Sequence, residues 1–153
     1  EQLWAENSNL NLVIVGKQGW LVEDFIKRLR KHTELNKRLF WLEDVSDEYL
    51  ENVYKKTSCL IAASEGEGFG LPIIEAAQHS LPIIARDIPV FRELAGDNAL
   101  YFDGKTASTL AKIIREWLVL YESNNVPSTA SIPRRSWHEV ATELIGALGV
   151  HNF

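Results

Sequence analysis

Apolar residues along this chain gather into short runs separated by amphipathic stretches. NLNLVIVG (residues 9–16) is a compact apolar run closed by glycine, which predicts a strand. In the following LVEDFIKRLRKH, the residues Leu21, Phe25, Ile26 and Leu29 recur at helical spacing. RLFWLE (38–43) predicts a second strand, and SDEYLENVYKKT a second helix, with Ser46 as N-cap and Asp47 and Glu48 in its first turn. SCLIAAS (58–64) predicts a third strand; Pro72 suits the first position of the helix IIEAAQHS. LPIIAR (81–86) predicts a fourth strand, and Pro89 opens a short helix through Leu94 that Gly96 ends.

NALYF (98–102) predicts a short edge strand, and Thr106 leads a helix to about Tyr121 with Leu110, Ile113, Ile114 and Trp117 on one face. The polar, turn-rich ESNNVPSTASIP (122–133) reads as a linker. Ser136 and Glu139 then match a capping box for a closing helix over 134–149. Strands alternating with helices at this spacing imply an α/β fold: a Rossmann-like, mostly parallel sheet covered by helices on both faces. Ligands of such sheets bind beyond the carboxyl ends of the strands.

With 153 residues, the chain is long enough for a single domain with a sizeable core, and short for two. A formal net charge of -5 argues against a sequence-independent grip on nucleic acid. No apolar run approaches the roughly 20 residues of a membrane-spanning helix. The lone Cys59 rules out a disulfide within the chain and fits a reducing compartment. The opening EQLWAENSN lacks an initiator Met and reads as the last turns of a helix, so 1–153 is expected to be one amino-terminally truncated ligand-binding domain.

The chemistry concentrates in EGEGFGLPIIEAAQ (65–78), between the third strand and the helix at Pro72. Backbone N–H groups from Gly68 to Leu71 can converge there on one anion, as at other helix N-termini. Gly66, Gly68 and Gly70 allow close approach and positive φ. Two glutamates, Glu67 in the loop and Glu75 in the first helical turn, suit sugar hydroxyls lying a few ångströms from a phosphate. The blander alternative is an exposed Glu67 and a Glu75 that merely compensates the helix dipole.

As a whole, Glu67-Gly-Phe-Gly-Leu-Pro-Ile-Ile-Glu75-Ala resembles the motif EGFGLPxxEA, with its two glutamates eight positions apart, of glycosyltransferase family 4, the large retaining GT-B family. NLVIVGKQGW, DVSDEYLENVY and LPIIARDIPVFRELAGDNALYF are similar to that family's carboxyl-terminal, nucleotide-sugar-binding domain, over roughly residues 3–121. The resemblance implies that Glu67 meets the donor sugar and helps stabilise the transition state. It also implies that Gly68, Phe69, Gly70 and Leu71 face the donor phosphates and that Glu75 holds the ribose hydroxyls. Val45 and Leu50 would border the nucleobase, and Gly16 with Lys17 would line the same cleft. Relatives carry an Arg and a Lys upstream of the LVIVG strand that neutralise the diphosphate, and this sequence shows no such segment.

The same resemblance implies transfer of a hexose, mannose first, from GDP-mannose or a UDP-sugar to a glycan or lipid-linked acceptor bound by an amino-terminal domain. It implies no cofactor and no metal, no enzymic nucleophile, and a cytoplasmic enzyme with peripheral association at the inner face of the membrane. The wording of GKQGW and LPIIARDIPVFRE looks most like bacterial transferases of surface polysaccharide assembly. Alternatives are half of a non-hydrolysing sugar-nucleotide epimerase, or a non-catalytic nucleotide-binding or interaction module. A dehydrogenase half is disfavoured because no GxGxxG follows the first strand. The histidines are scattered, against zinc-ligand spacing. Trp4, Trp41, Trp117 and Trp137 are expected in the core, while Trp20 either covers the donor or caps a helix start.

Overall fold

The computed structural model describes residues 1–19 and 22–133. Trp20, Leu21 and the closing helix expected over 134–149 lie outside the described residues. Contacts group the chain into two compact units, Glu1–Val53 and Tyr54–Phe153, each built around parallel strands.

In the first unit, α1 (Gln2–Ala5) precedes β1 (Leu12–Val15), then α2 (Glu23–Arg30) and β2 (Leu39–Leu42). The strands pair in parallel from Leu12 opposite Leu39 to Val15 opposite Leu42. Ile26 and Leu29 of α2 and Leu39 of β2 are buried. Phe25, expected on the buried face, is 53% exposed. At about 100° per residue Phe25 stands about 100° from Ile26 and about 40° from Leu29, at the rim of the buried face, where its ring remains open to solvent. Helix α3 (Asp47–Lys56) follows, its residues from Tyr54 on belonging to the second unit, and Ser46 caps it as expected, its Oγ accepting from the Tyr49 amide at 3.2 Å.

The second unit holds β3 (Leu60–Ala62), α4 (Leu71–Gln78), β4 (Ile83–Arg86), α5 (Pro89–Ala95), β5 (Leu100–Phe102) and α6 (Ala107–Glu122). Its sheet is parallel in the order β3-β4-β5, with β5 at the edge as the short apolar run predicts. Side chains of central β4 alternate between two cores. Ile83 and Ala85 join Ile73, Ala76 and Ala77 of α4 and Phe91 and Ala95 of α5. Ile84 joins Phe102, Ile113 and Trp117, the last two from α6. Helices therefore cover both faces of this sheet.

Three expectations shift. Helix α4 starts at Leu71, so Pro72 is its second residue and Glu75 lies in the second turn. The reason is Gly70, the N-cap, whose left-handed backbone (φ 70°, ψ 33°) turns the chain into the helix early. Residues 122–133 are more than a linker: Thr129–Ser131 form a 3-10 turn and Ile132, 2% exposed, packs into the α4/α5 core. Among the tryptophans, Trp117 is buried as expected, whereas Trp4 and Trp41 are only half-buried.

Candidate functional site

The loop from Ala63 to Gly70 leaves the carboxyl end of β3 and feeds α4, and the neighbouring strand ends hold its root. Arg86, last residue of β4, donates from Nε to the Ala63 carbonyl at 3.0 Å and from Nη1 to the Gly104 carbonyl. Its guanidinium also lies 5.0 Å from the centre of the Phe102 ring. Beyond β5, Lys105 forms an ion pair with Glu65 at 2.6 Å, and that ammonium draws the Glu65 carboxyl below the usual carboxylate range. One basic residue thus ties three strand ends around the glycine turn, which sequence spacing did not reveal.

Within the turn the glycines differ. Gly70 is buried in left-handed backbone, and a β-carbon there would meet Leu94 of α5 at 2.5 Å. Gly66 and Gly68 have ordinary φ, and nothing lies within 4 Å of a β-carbon built on either. Only Gly70 is demanded by the fold; the other two leave open space beside the loop. Phe69 and Leu71 are 52% and 37% exposed on either side of Gly70.

The donors at the start of α4 can be counted. Pro72 has no N–H, and the Ile73 amide donates to the Gly70 carbonyl at 2.9 Å. The anion contacts expected of Gly68 to Leu71 fall on the Leu71 amide and the loop amides before it. Glu67 is half-buried, and its carboxylate has no hydrogen-bond or ion-pair partner among the described residues. Glu75 is also half-buried, but its Oε2 accepts from the Tyr54 hydroxyl at 2.7 Å. The Tyr54 ring stacks on His79, with centroids 5.3 Å apart and planes 10° apart.

Burial first, and then the Glu75 carboxylate, push the Tyr54 hydroxyl well above the usual tyrosine range. It therefore stays protonated as a donor near neutral pH. Tyr54 was not anticipated, since a tyrosine late in a polar helix, 21 residues from its partner, carries no motif.

In the first unit, Gly16 closes β1 with φ 136°, its amide donating to Leu42 O at 3.0 Å and its carbonyl accepting from Trp41 Nε1 at 2.9 Å. Lys17 pairs with Asp44 at 2.9 Å, which raises the lysine above its ordinary range. Val45 lines a shallow concavity of about 540 Å³ together with Trp41, Leu42, Glu43, Asp44, Ser46 and Tyr49. Leu50 is half-buried and does not line it. Trp41 serves there as a wall, held by its bond to Gly16 and with Arg30 over its ring at 5.5 Å. Among the described residues, no three His, Cys, Asp or Glu side chains are placed to share a metal ion, and no helix is long and apolar enough to cross a membrane.

A parallel sheet covered on both faces, with a glycine turn at the carboxyl end of a strand, defines an α/β domain of the kind whose ligands bind beyond the strand ends. The family described as "Glycosyl transferases group 1" matches residues 1–132, and the chain belongs to it. The chain is 51% identical over 150 residues, 98% of its length, to the serotype-specific mannosyltransferase WbdA of Escherichia coli. It is 33% identical over 101 residues, 66% of its length, to the O-antigen chain mannosyltransferase RfbU of Salmonella typhimurium.

The chain spans only 18% of WbdA and 28% of RfbU. By structure it is similar to Anabaena Alr3699/HepE in complex with UDP and glucose, at TM-score 0.73 and 19% identity over 92% of this chain and 41% of that one. It is also similar to sucrose-phosphate synthase of Thermosynechococcus elongatus, at TM-score 0.71 and 22% identity over 92% of this chain and 38% of that one. The expected α/β class and glycosyltransferase fold are borne out.

Proposed function

We propose that this chain is the donor-binding domain of a retaining mannosyltransferase that takes mannose from a nucleotide sugar, GDP-mannose first, to a glycan or lipid-linked acceptor. The observation that carries this reading is the segment from Gly66 to Glu75, with open space at Gly66 and Gly68 and two differently held carboxylates. The names of the relatives add mannose and polysaccharide assembly. The donor diphosphate sits at the Gly68 to Leu71 amides, where the helix end favours the charge that builds as the bond from sugar to phosphate breaks. Glu67, without a partner among the described residues, accepts from the sugar hydroxyls beside the reacting carbon. Glu75 accepts from the ribose diol.

Val45, Leu50, Gly16 and Lys17 are the residues to which the family resemblance gives the nucleobase. Neither metal nor cofactor has a part, and acceptor binding falls to another domain of the full enzyme. We place that enzyme in the cytoplasm, at the inner face of the membrane, in keeping with a lone cysteine and a nucleotide-sugar donor. Calorimetry of this chain with GDP, GDP-mannose, UDP and UDP-glucose tests the reading. Weak nucleotide binding without sugar transfer is expected, and Glu75→Ala weakens that binding further while the circular dichroism spectrum is kept. A folded chain that binds none of the four overturns the assignment.

A further inference from the structure

We infer that Tyr54 is a positioning residue for the donor, acting through Glu75: its hydroxyl holds Oε2 of that carboxylate so that the remaining lone pairs face the ribose diol. This rests on the assignment of Glu75 made above, and adds a residue that the glycine motif does not contain.

Three observations carry it. The bond is well formed, 2.7 Å from Tyr54 Oη to Glu75 Oε2, and is made by a neutral donor to a charged acceptor, the stronger kind. The tyrosine is held from a second side. Its ring stacks on His79, which lies four residues beyond Glu75 and caps the end of α4. The helix that bears the carboxylate therefore also bears the surface that fixes its partner's ring. Finally, the carboxylate is left with capacity. A carboxylate offers about four lone-pair sites; Tyr54 occupies one, and Oε1 has no partner among the described residues. A vicinal diol needs two.

A glutamate side chain with three rotatable bonds loses freedom when it binds a ligand. Holding one oxygen beforehand removes much of that loss, so the hydroxyl strengthens donor binding without touching the donor. Replacing it leaves the base, the diphosphate and their contacts unchanged. The effect is confined to ligands with ribose hydroxyls.

Isothermal titration of the chain with GDP, UDP and their 2′,3′-dideoxy counterparts reads this directly. Tyr54→Phe, which keeps the ring and its stack, is expected to weaken ribonucleotide binding about tenfold, with dideoxynucleotide affinity unchanged. Glu75→Gln should show the same selectivity, and the double variant should bind no more weakly than Glu75→Gln alone. His79→Leu, which keeps the hydroxyl but removes the stack, should give a smaller loss of the same kind. Equal losses for both sugar forms would reduce Tyr54 to a packing role and overturn the inference. So would ribonucleotide affinity unchanged in Tyr54→Phe while Glu75→Gln remains impaired, an outcome that leaves the proposed function standing. If Glu75→Gln itself binds ribonucleotides normally, the assignment of Glu75 fails and this inference with it.

Discussion

A β-carbon on Gly70 would lie 2.5 Å from Cδ1 of Leu94, while the backbone at Gly70 has a φ of 70°. The two constraints differ in weight. Leu94 is half-exposed and its terminal methyl can swing aside, whereas left-handed backbone costs any residue with a β-carbon about 1–2 kcal/mol. Gly70→Ala is therefore expected to destabilise the chain by about 2 kcal/mol in urea unfolding. Gly68→Ala, with ordinary φ and no neighbour within 4 Å, should stay within about 0.5 kcal/mol of wild type yet weaken nucleotide binding.

Arg86 spends its guanidinium on two carbonyls from different loops and on the Phe102 ring. Removing it leaves Ala63 and Gly104 to find other donors. Arg86→Ala should cost about 1–3 kcal/mol. Amide hydrogen exchange should quicken selectively over residues 63–70 and 103–105, and equal acceleration throughout the chain would refute the role as a tie.

Arg92 donates to both oxygens of Asp87 at 2.7 Å and stands 3.6 Å over the Tyr101 ring. Its hydrogen bond to Asp87 pulls that carboxyl below the ordinary aspartate range of about 4. A lowered folded-state pKa means a stabilising contribution that is present above the unfolded pKa and lost as pH falls through the folded one. Asp87→Asn should therefore lower the melting temperature at pH 7, and the gap to wild type should close as the pH is taken below about 4. Both side chains are well exposed, so the effect is small and shrinks in high salt.

Cys59 stands at the edge of the second core, beside β3, with its Sγ 3.2 Å from the Leu60 carbonyl. Burial pushes its thiol up to about 12. The reactive thiolate is thus scarce at neutral pH. At pH 8 the native chain should resist a thiol reagent such as dithionitrobenzoate, and labelling should track unfolding by urea. Rapid labelling of the folded chain would contradict this burial.

The order of strands and helices is legible in the amino-acid pattern, because burial on a strand or helix stamps a period on the apolar residues. Also legible are the capping by Ser46, the stop at Gly96 and the glycine turn with its two glutamates, all written in a few adjacent positions. Which of these residues touch is set by packing in three dimensions. Phe25 faces out because the rotation of α2 is set by what it packs on, and Ile132 of the polar stretch returns to the core because an apolar surface was left to cover. Gly70 is separated from Gly66 and Gly68 by a left-handed turn and by Leu94, neither visible in a run of three alternating glycines. The bond from Tyr54 to Glu75 joins the end of one helix to the second turn of another. Such contacts are fixed by packing between elements, and no local spacing encodes them.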